Sequence, residues 1–230
     1  MSTTFRTRFP SPMPLRRSPR FAGNSTNSST NGPSPCALPP PTSPNQKTVF
    51  LDLDHTLITS VWCPPSPRTP RTYDFLVKFD QQVRYVIKRP YVDEFLNYLN
   101  NNNFEIVIFT AGKEACASPT LDKLDPKGLI SHRLYRSSCK ILDGGRLAKD
   151  LSDLGRNLKN VVIIDDIPSF YRLQPENGIR ITPFTYNNAR DDELKKLMDK
   201  FFDKCEQYED LKDALKHLGA KNLKKRKRLK

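Results

Sequence analysis

The sequence predicts an α/β fold, a Rossmann-like parallel sheet flanked by helices. Three short apolar segments lead to this prediction: VFLDLD (49–54), FEIVIFT (104–110) and NVVIID (160–165). A continuous apolar run of this length is typical of a strand that is buried on both faces, as the strands of a parallel sheet are. Segments with helical character lie between the runs, which indicates βαβ units.

The segment between the first and second apolar runs predicts a loop, a small β-hairpin and one helix. CPPSPRTPR (63–71) is too rich in proline for regular structure. DFLVKFDQQVRYVIK (74–88) alternates apolar and polar residues on both sides of Asp80-Gln81-Gln82, which indicates a hairpin. RPYVDEFLNYLNNNN (89–103) has helical apolar spacing and a proline suited to a first turn. These elements leave no room for a large cap domain.

The remainder of the chain predicts a second hairpin and a helical end. KILDGGRL (140–147) places Asp-Gly-Gly at the centre of a hairpin. Two helical faces follow near the C-terminus. The first face contains Leu194, Leu197, Met198, Phe201 and Phe202, and the second contains Leu211, Leu215 and Leu218.

The positive charge of the chain is concentrated at its two ends. The net charge is +13, and six basic residues in the first fifty together with seven in the last ten account for the whole excess. The body in between is neutral, which argues against a domain that binds nucleic acid over its surface. The chain therefore divides into a disordered, basic, Ser/Pro-rich tail (1–45), a folded domain (46–219) and a basic tail (220–230).

Cysteine content and hydropathy predict neither disulfides nor membrane spans. The five cysteines are scattered, odd in number and without a CxxC pair, which argues against a zinc site and favours a reducing compartment. No apolar run approaches the roughly 18 to 20 residues that a membrane span needs. The ending KKRKRLK is typical of a nuclear localisation signal, whereas the acid-free N-terminal tail also fits an organelle transit peptide. Both locations stay open.

Acidic and hydroxyl side chains stand at the ends of all three predicted parallel strands. Ligands of open α/β sheets bind at the carboxyl ends of strands, near the point where the strand order reverses. Four carboxylates gathered there repel one another unless a cation lies among them, and oxygen ligands suit Mg²⁺. The sequence therefore predicts a magnesium site for phosphate chemistry. Its residues are Asp52 and Asp54 from the first strand, Thr110 from the second, and Asp165 with Asp166 from the third.

With these residues in place, the chain resembles a known phosphatase family. The motifs VFLDLDHTL, KRPYVDEFL, IVIFTAG, YRSSC, KDLSDLGR, VVIIDDIPSFY and LQPENGI are similar to those of the haloacid dehalogenase (HAD) superfamily. More specifically, they resemble the small FCP/SCP-like phosphatases that act on the C-terminal domain of RNA polymerase II. The resemblance extends from residue 47 to 218 and implies a HAD-like fold and a Mg²⁺-dependent protein serine/threonine phosphatase.

The resemblance gives four of these side chains a catalytic role. Asp52 would attack phosphorus and form an aspartyl-phosphate, and Asp54 would protonate the leaving oxygen and then activate water. Thr110 and Lys149 would hold the phosphoryl oxygens. The Mg²⁺ ligands would be Asp52, the backbone carbonyl of Asp54, Asp165 and Asp166.

The resemblance also implies an open substrate site that takes a phospho-Ser-Pro segment. Arg146 would bind the substrate phosphate in place of an arginine that relatives carry in the loop at KILDGG. Thr110, Ala111 and Lys149 complete the expected phosphoryl-binding set. A hydrophobic pocket for the proline is expected on the hairpin side. Its candidates are Trp62, Phe75 and Val77, each of which has an equally good interpretation as a core residue.

Besides the loop at KILDGG, three positions depart from the family pattern. One of them is Cys116, which lies near where relatives place an aromatic pocket residue. His55 stands where the family usually has glutamate, outside the chemistry. Asp166 replaces the usual asparagine beside the metal-binding aspartate and adds a negative charge to the site.

Two other functions stay open. One is a non-catalytic protein-binding module on the same fold, although such a module has no need for the complete catalytic set. The other is a phosphatase of a different phosphoprotein in an organelle. The expected partner is a phosphorylated protein segment bound by a monomer, without a membrane or a specific nucleic acid.

Overall fold

A computed structural model describes residues 37–62, 72–79 and 82–226 of the chain. These residues lie within one compact unit. Most of the predicted N-terminal tail, the Pro-rich loop at 63–71 and the end of the basic tail therefore lie outside the described residues. The predicted hairpin turn at Asp80 and Gln81 lies outside them as well.

The described residues form ten strands and five α-helices. The strands are β1 (Thr48–Leu51), β2 (Ile58–Trp62), β3 (Phe75–Phe79), β4 (Gln82–Lys88), β5 (Glu105–Phe109), β6 (His132–Leu134), β7 (Lys140–Leu142), β8 (Arg146–Ala148), β9 (Val161–Asp165) and β10 (Gly178–Arg180). The helices are α1 (Val92–Asn101), α2 (Glu114–Leu124), α3 (Glu193–Leu197), α4 (Asp203–Cys205) and α5 (Leu211–Arg226). A π-helical turn, Met198–Phe202, joins α3 to α4. None of the described helices is long and apolar enough to cross a membrane.

Five strands form the central parallel sheet, in the order β10-β9-β1-β5-β6. Every neighbouring pair in it is parallel. The chain continues from β1 through β5 and β6 on one side, and returns through β9 and β10 on the other. The strand order thus reverses at β1, so the carboxyl ends of β1, β5 and β9 adjoin the point where such sheets bind ligands. The predicted parallel sheet is confirmed, and its three predicted strands are neighbours.

Both faces of the sheet are covered. Val49 and Leu51 of β1 face a core that includes the buried sides of α1, α2, α3 and α5. Phe50 faces a second core, to which irregular segments contribute Leu154 and Tyr171. All four side chains of β1 are consequently buried, which explains why this strand has a continuous apolar sequence.

An antiparallel sheet of three strands, ordered β2-β4-β3, separates β1 from α1 along the chain. β3 and β4 are the predicted hairpin, in which Phe75 pairs with Val86. β2 is absent from the predicted elements; it pairs with β4 and places Trp62 opposite Arg84. The described residues between β1 and β5 contain no further domain, in agreement with the expected lack of a large cap.

The other predicted elements are present with changed boundaries. β7 and β8 form the second hairpin. α1 begins at Val92, preceded by Tyr91 in a left-handed conformation with φ of 67°. α2 is absent from the predicted elements, because its sequence EACASPTLDKL has a weak apolar face and contains Pro119. α5 extends to Arg226, so the predicted basic tail begins within a helix.

Contacts to the domain begin before its predicted start. The side chain of Leu38 packs against the second core, and its amide donates a hydrogen bond of 3.2 Å to the Leu154 carbonyl. The last part of the segment predicted as a disordered tail is therefore attached to the domain.

A buried ion pair fixes the loop that follows β1. The Arg89 guanidinium donates two hydrogen bonds of 2.7 and 2.8 Å to the Asp191 carboxylate, and both side chains are almost fully buried. The same guanidinium donates to the carbonyls of Thr56 at 3.0 Å and Thr182 at 2.7 Å. Because Thr56 lies two residues after Asp54, this ion pair holds the end of β1 against the C-terminal part of the chain.

We expect Asp191→Ala to lower the free energy of unfolding by about 3 to 5 kcal/mol, because it leaves the Arg89 charge buried without an acid. Chemical denaturation measures the loss. Asp199→Ala is the control, since Asp199 pairs with Lys195 at the surface, where both side chains are more than half exposed. Exposed pairs contribute at most about 1 kcal/mol. Equal losses in the two variants would contradict the role given to Asp191.

Candidate active site

The end of β1 is a tight turn that carries two aspartates. The Asp52 amide donates to the Ile164 carbonyl at 3.0 Å, which continues the pairing of β1 with β9 by one residue. The Leu53 carbonyl then accepts hydrogen bonds from residues 57 and 58 and closes the turn. His55, within it, has a φ of 64°, which is uncommon for a residue other than glycine. The Asp52 side chain is buried, whereas that of Asp54 is 40% exposed.

A fully buried lysine joins Asp52 to β9. The Lys149 Nζ donates to Asp52 Oδ1 at 2.7 Å and to Asp165 Oδ2 at 2.5 Å. It also lies 5.9 Å from the ring centroid of Phe109 and 5.1 Å from that of Phe170. Burial acts to lower the pKa of Lys149, but the two carboxylates outweigh it and the pKa is raised. The buried side chain therefore stays charged.

Three buried aspartates form a cluster of oxygen atoms. Asp52, Asp165 and Asp166 each offer a carboxylate oxygen, and these oxygens lie within 4.8 Å of one another. The Ile167 amide donates to Asp165 Oδ1 at 2.8 Å and orients that carboxylate. Burial and the nearby charge of Asp52 raise the pKa of Asp165 to about 6 and also raise the pKa of Asp166. The cluster therefore holds more negative charge than its own surroundings compensate.

The donor set fits a divalent cation. Four carboxylates stand at this edge of the sheet, and the buried cations in contact with them are Lys149 and Arg84. Two negative charges are left over, which is the charge that one divalent cation neutralises. The cluster of Asp52, Asp165 and Asp166 consists of carboxylates alone. Mg²⁺ prefers oxygen ligands of this kind, whereas softer metals prefer thiolate or imidazole ligands.

The Asp54 carboxylate has a partner of its own. It forms an ion pair with Arg84 of β4, whose Nε donates to the Ser60 hydroxyl at 2.8 Å. The Arg84 guanidinium also lies over the indole of Trp62, 5.5 Å from the ring centroid. Burial raises the pKa of Asp54 and outweighs Arg84, which acts to lower it; the charge of Asp52 raises it further. Asp54 is thus a carboxyl group whose pKa is raised above its ordinary value although a cation is fixed beside it.

Thr110 follows β5, the neighbour of β1, and is buried. Its hydroxyl accepts a hydrogen bond of 3.0 Å from the Gly112 amide, so its own hydrogen remains to be donated to a ligand. A Cβ atom at Gly112 would lie 3.2 Å from Thr110 Oγ1, so a larger residue there would crowd the Thr110 hydroxyl. The Arg136 Nε donates to the Ala111 carbonyl at 2.6 Å. An exposed guanidinium is thereby held at the same loop.

A cavity of about 390 Å³ lies beside Asp54. Residues of the antiparallel sheet, the start of α2 and the segment before β7 form its walls. Its lining includes Asp54, Trp62, Arg84, Lys113, Cys116 and Arg136.

The residues predicted for the hydrophobic pocket do not come together. Trp62 lines the cavity, whereas Phe75 and Val77 belong to the first core and are absent from the cavity lining. The reason is α2, which was not predicted: it packs on β3 and leaves Val77 only 3% exposed. For these two residues the interpretation as core is the one that agrees with the structure.

The arginine predicted to bind the substrate phosphate lies on the exposed second hairpin. Arg146 stands at the start of β8, is exposed, and donates from Nε to the Asp143 carbonyl at 3.2 Å. It does not line the cavity, and the arginines that do are Arg84 and Arg136. Arg136 belongs to the quoted motif YRSSC, and Arg84 occupies a polar position in the apolar and polar alternation of VRYVIK. Neither arginine is among the site residues that the sequence predicts.

Residues 47–212 match the family described as NLI interacting factor-like phosphatases. The chain belongs to this family. Membership implies a divalent metal, and the buried aspartate cluster is the matching donor set. The predicted family is therefore confirmed.

Named relatives agree with this placement. CTD small phosphatase-like protein 2 of Dictyostelium discoideum is 42% identical over 172 residues, which cover 74% of this chain and 29% of that protein. The human carboxy-terminal domain RNA polymerase II polypeptide A small phosphatase 1 is 38% identical over 172 residues, covering 73% of this chain and 62% of that protein. The human carboxy-terminal domain RNA polymerase II polypeptide A small phosphatase 2 is 37% identical over 195 residues, which cover 82% of this chain and 68% of that protein.

The chain spans between about a third and two-thirds of the length of most of these relatives. Among solved structures, fission yeast RNA polymerase II CTD phosphatase Fcp1 bound to beryllium fluoride has a TM-score of 0.48 at 24% identity. That similarity covers 62% of this chain and 43% of the Fcp1 chain.

We expect Mg²⁺ to raise the melting temperature of metal-free protein, because a ligand that binds only the folded state stabilises it by about 2.7 kcal/mol at 100 times its Kd. Asp166→Ala removes one carboxylate from the cluster and should raise the Mg²⁺ concentration at half-effect at least about tenfold. A thermal melt over a Mg²⁺ titration measures both effects. Asp153→Ala, an exposed aspartate in the loop before β9, is the control. Identical titration midpoints for the two variants would exclude Asp166 as a ligand.

Proposed function

We propose that the protein is a Mg²⁺-dependent protein serine/threonine phosphatase that acts through an aspartyl-phosphate on Asp52. The observation that carries the proposal is the contact of Asp52 with the buried Lys149 ammonium, next to two further aspartates at the switch point of the sheet. A carboxylate held there by a cation can approach a phosphate dianion that an isolated carboxylate would repel.

In the first step, an Asp52 oxygen attacks phosphorus and the bond from phosphorus to the serine oxygen breaks. Lys149 contacts Oδ1 of Asp52, so Oδ2 is the oxygen that we assign to the attack. The products are the aspartyl-phosphate and the serine alkoxide, which requires a proton as it leaves.

Asp54 supplies that proton. Its raised pKa and its partial exposure suit a general acid that meets a leaving group arriving from solvent. After the serine leaves, the Asp54 carboxylate takes a proton from water, and the water oxygen attacks phosphorus. Phosphate is released, Asp52 is regenerated and Asp54 is again protonated. Arg84 holds the Asp54 carboxyl in place throughout.

The transferred phosphoryl group is held by hydrogen-bond donors from three segments. Thr110 has a hydroxyl hydrogen to give, Lys149 has an ammonium already at the nucleophile, and Arg136 has a guanidinium next to Ala111. Such donors stabilise charge that spreads over the phosphoryl oxygens, which is the main work of a phosphoryl-transfer site.

Mg²⁺ would be held by the carboxylates of Asp52, Asp165 and Asp166, with the backbone carbonyl of Asp54 as a further ligand. Bound there, it would neutralise charge on the phosphate and on Asp52 during attack. Asp166 offers the full charge of a carboxylate to the cation.

The proposed substrate is a phosphorylated serine in a protein segment. The cavity lies at Asp54 and the described residues include no cap over it, so an extended chain can reach the site. The names of the relatives support the C-terminal domain of RNA polymerase II as a candidate, and the basic run 224–230 supports a nuclear location. A fluorescent fusion that lacks residues 224–230 and still accumulates in nuclei would contradict the location signal proposed for them.

We expect Asp52→Asn to reduce hydrolysis of an aryl phosphate at least about 1,000-fold in the presence of Mg²⁺, because an amide is a poor nucleophile. Asp52→Glu keeps the charge but moves it, and it should be comparably inactive. Initial rates of phenol release measure both, and thermal melts establish that each variant is folded. Asp153→Asn should retain full activity. Turnover by folded Asp52→Asn would exclude Asp52 as the nucleophile.

A panel of phosphopeptides separates the phosphatase from a binding module. We expect release of phosphate from phosphoserine peptides by the wild type and none by Asp52→Asn. Binding without release by the wild type, with Mg²⁺ present, would favour the non-catalytic module. Pairs of peptides with proline or alanine after the phosphoserine test the phospho-Ser-Pro preference on its own.

A further inference from the structure

The cavity beside Asp54 is the place where the substrate chain enters. Asp54 is the group assigned to protonate the serine oxygen, and in a protein substrate that oxygen belongs to the peptide. Residues next to the phosphoserine must therefore lie on the Asp54 side of the site. The cavity of about 390 Å³ is the space available to them there.

This cavity is lined by more positive than negative charge. Arg84, Lys113 and Arg136 contribute three cations, against the single carboxylate of Asp54. Arg84 already donates to Asp54, Ser60 and Thr120. The Lys113 ammonium has no acidic partner among the residues that the structure describes, and its side chain is exposed at the cavity.

Lys113 stands at the amino-terminal end of α2, an eleven-residue helix. The backbone dipoles at such an end add to the positive potential of the lysine. Arg136 donates to the Ala111 carbonyl, and the proposed function assigns its guanidinium to the phosphoryl group of the scissile serine. A further anion in the cavity would therefore be met chiefly by Lys113.

The apolar part of the cavity is poorly suited to a proline. Trp62 pairs with Arg84 across β2 and β4, and the Arg84 guanidinium lies over its indole ring. A proline would have to displace this cation to stack on that face. Phe75 and Val77, the other apolar residues predicted for a proline pocket, are part of the core.

We infer that the cavity binds a second anionic group of the substrate, an acidic side chain or a second phosphoserine close to the one that is hydrolysed. This inference rests on the proposed function and names its substrate class: segments with clustered negative charge. Lys113 is the residue that selects them.

The test measures kcat/KM for phosphoserine peptides on the full-length protein. In one series a single aspartate moves through the three positions on each side of the phosphoserine in an otherwise neutral peptide. In the other series a second phosphoserine takes its place. We expect an increase of about fivefold for aspartate at one position or more, the size of one solvent-exposed ion pair. A larger increase is expected for phosphoserine, and both should shrink as salt is added.

Lys113→Glu should abolish or invert the preference, expressed as the ratio of charged to neutral peptide for each variant. Lys123→Glu makes the same charge change on an exposed position of the same helix and should keep the ratio. A ratio near one for every peptide with the wild type, or an equal loss in both variants, would overturn the inference. Either result leaves the phosphatase proposal intact if the neutral peptide is hydrolysed. Failure to hydrolyse any peptide or an aryl phosphate would overturn the proposed function itself.

Discussion

The site depends on the contacts of the buried Lys149 ammonium with two aspartates. A charge this deeply buried is stable only with acids in contact, and Lys149 has two, at 2.7 Å from Asp52 and 2.5 Å from Asp165. These contacts connect the end of β1 with the end of β9, and they fix Lys149, which follows β8, beside both strand ends. Because they use only one positive charge, the aspartates keep an excess of negative charge. The same arrangement thus joins two strand ends and creates a demand for a divalent cation.

Arg84 gives the two aspartates at the end of β1 different partners. Asp52 is directed to Lys149, whereas Asp54 is paired with Arg84 in the antiparallel sheet. The two carboxylates, separated by Leu53, therefore have different partners and different exposure. Such a difference allows one to act as the nucleophile and the other to transfer protons. The Arg89–Asp191 ion pair fixes the turn that carries Asp54, because Arg89 also donates to the Thr56 carbonyl.

Much of this was predictable from sequence, and the failures share a cause. β1, β5, β9 and the polar residues at their ends are local patterns, and the strand ends of a parallel sheet meet by topology alone. The role of Lys149 comes from the resemblance to the family. The position of Arg84 at the cavity depends on the register of β2 and β4, and the burial of Phe75 and Val77 depends on packing against α2, which has little apolar periodicity. Side chains placed by packing across elements cannot be located from one segment, and the lining of the cavity is made of such side chains.

The most direct test of the central claim is chemical trapping of the acyl-phosphate. Full-length protein turning over a phosphoserine peptide with Mg²⁺ is quenched in denaturant and treated with borohydride, which reduces an aspartyl-phosphate to homoserine. Peptide mass spectrometry then locates the modified residue. The account predicts homoserine at position 52 and none at position 54. Homoserine at another aspartate, or steady turnover with no trapped residue at 52, would contradict it.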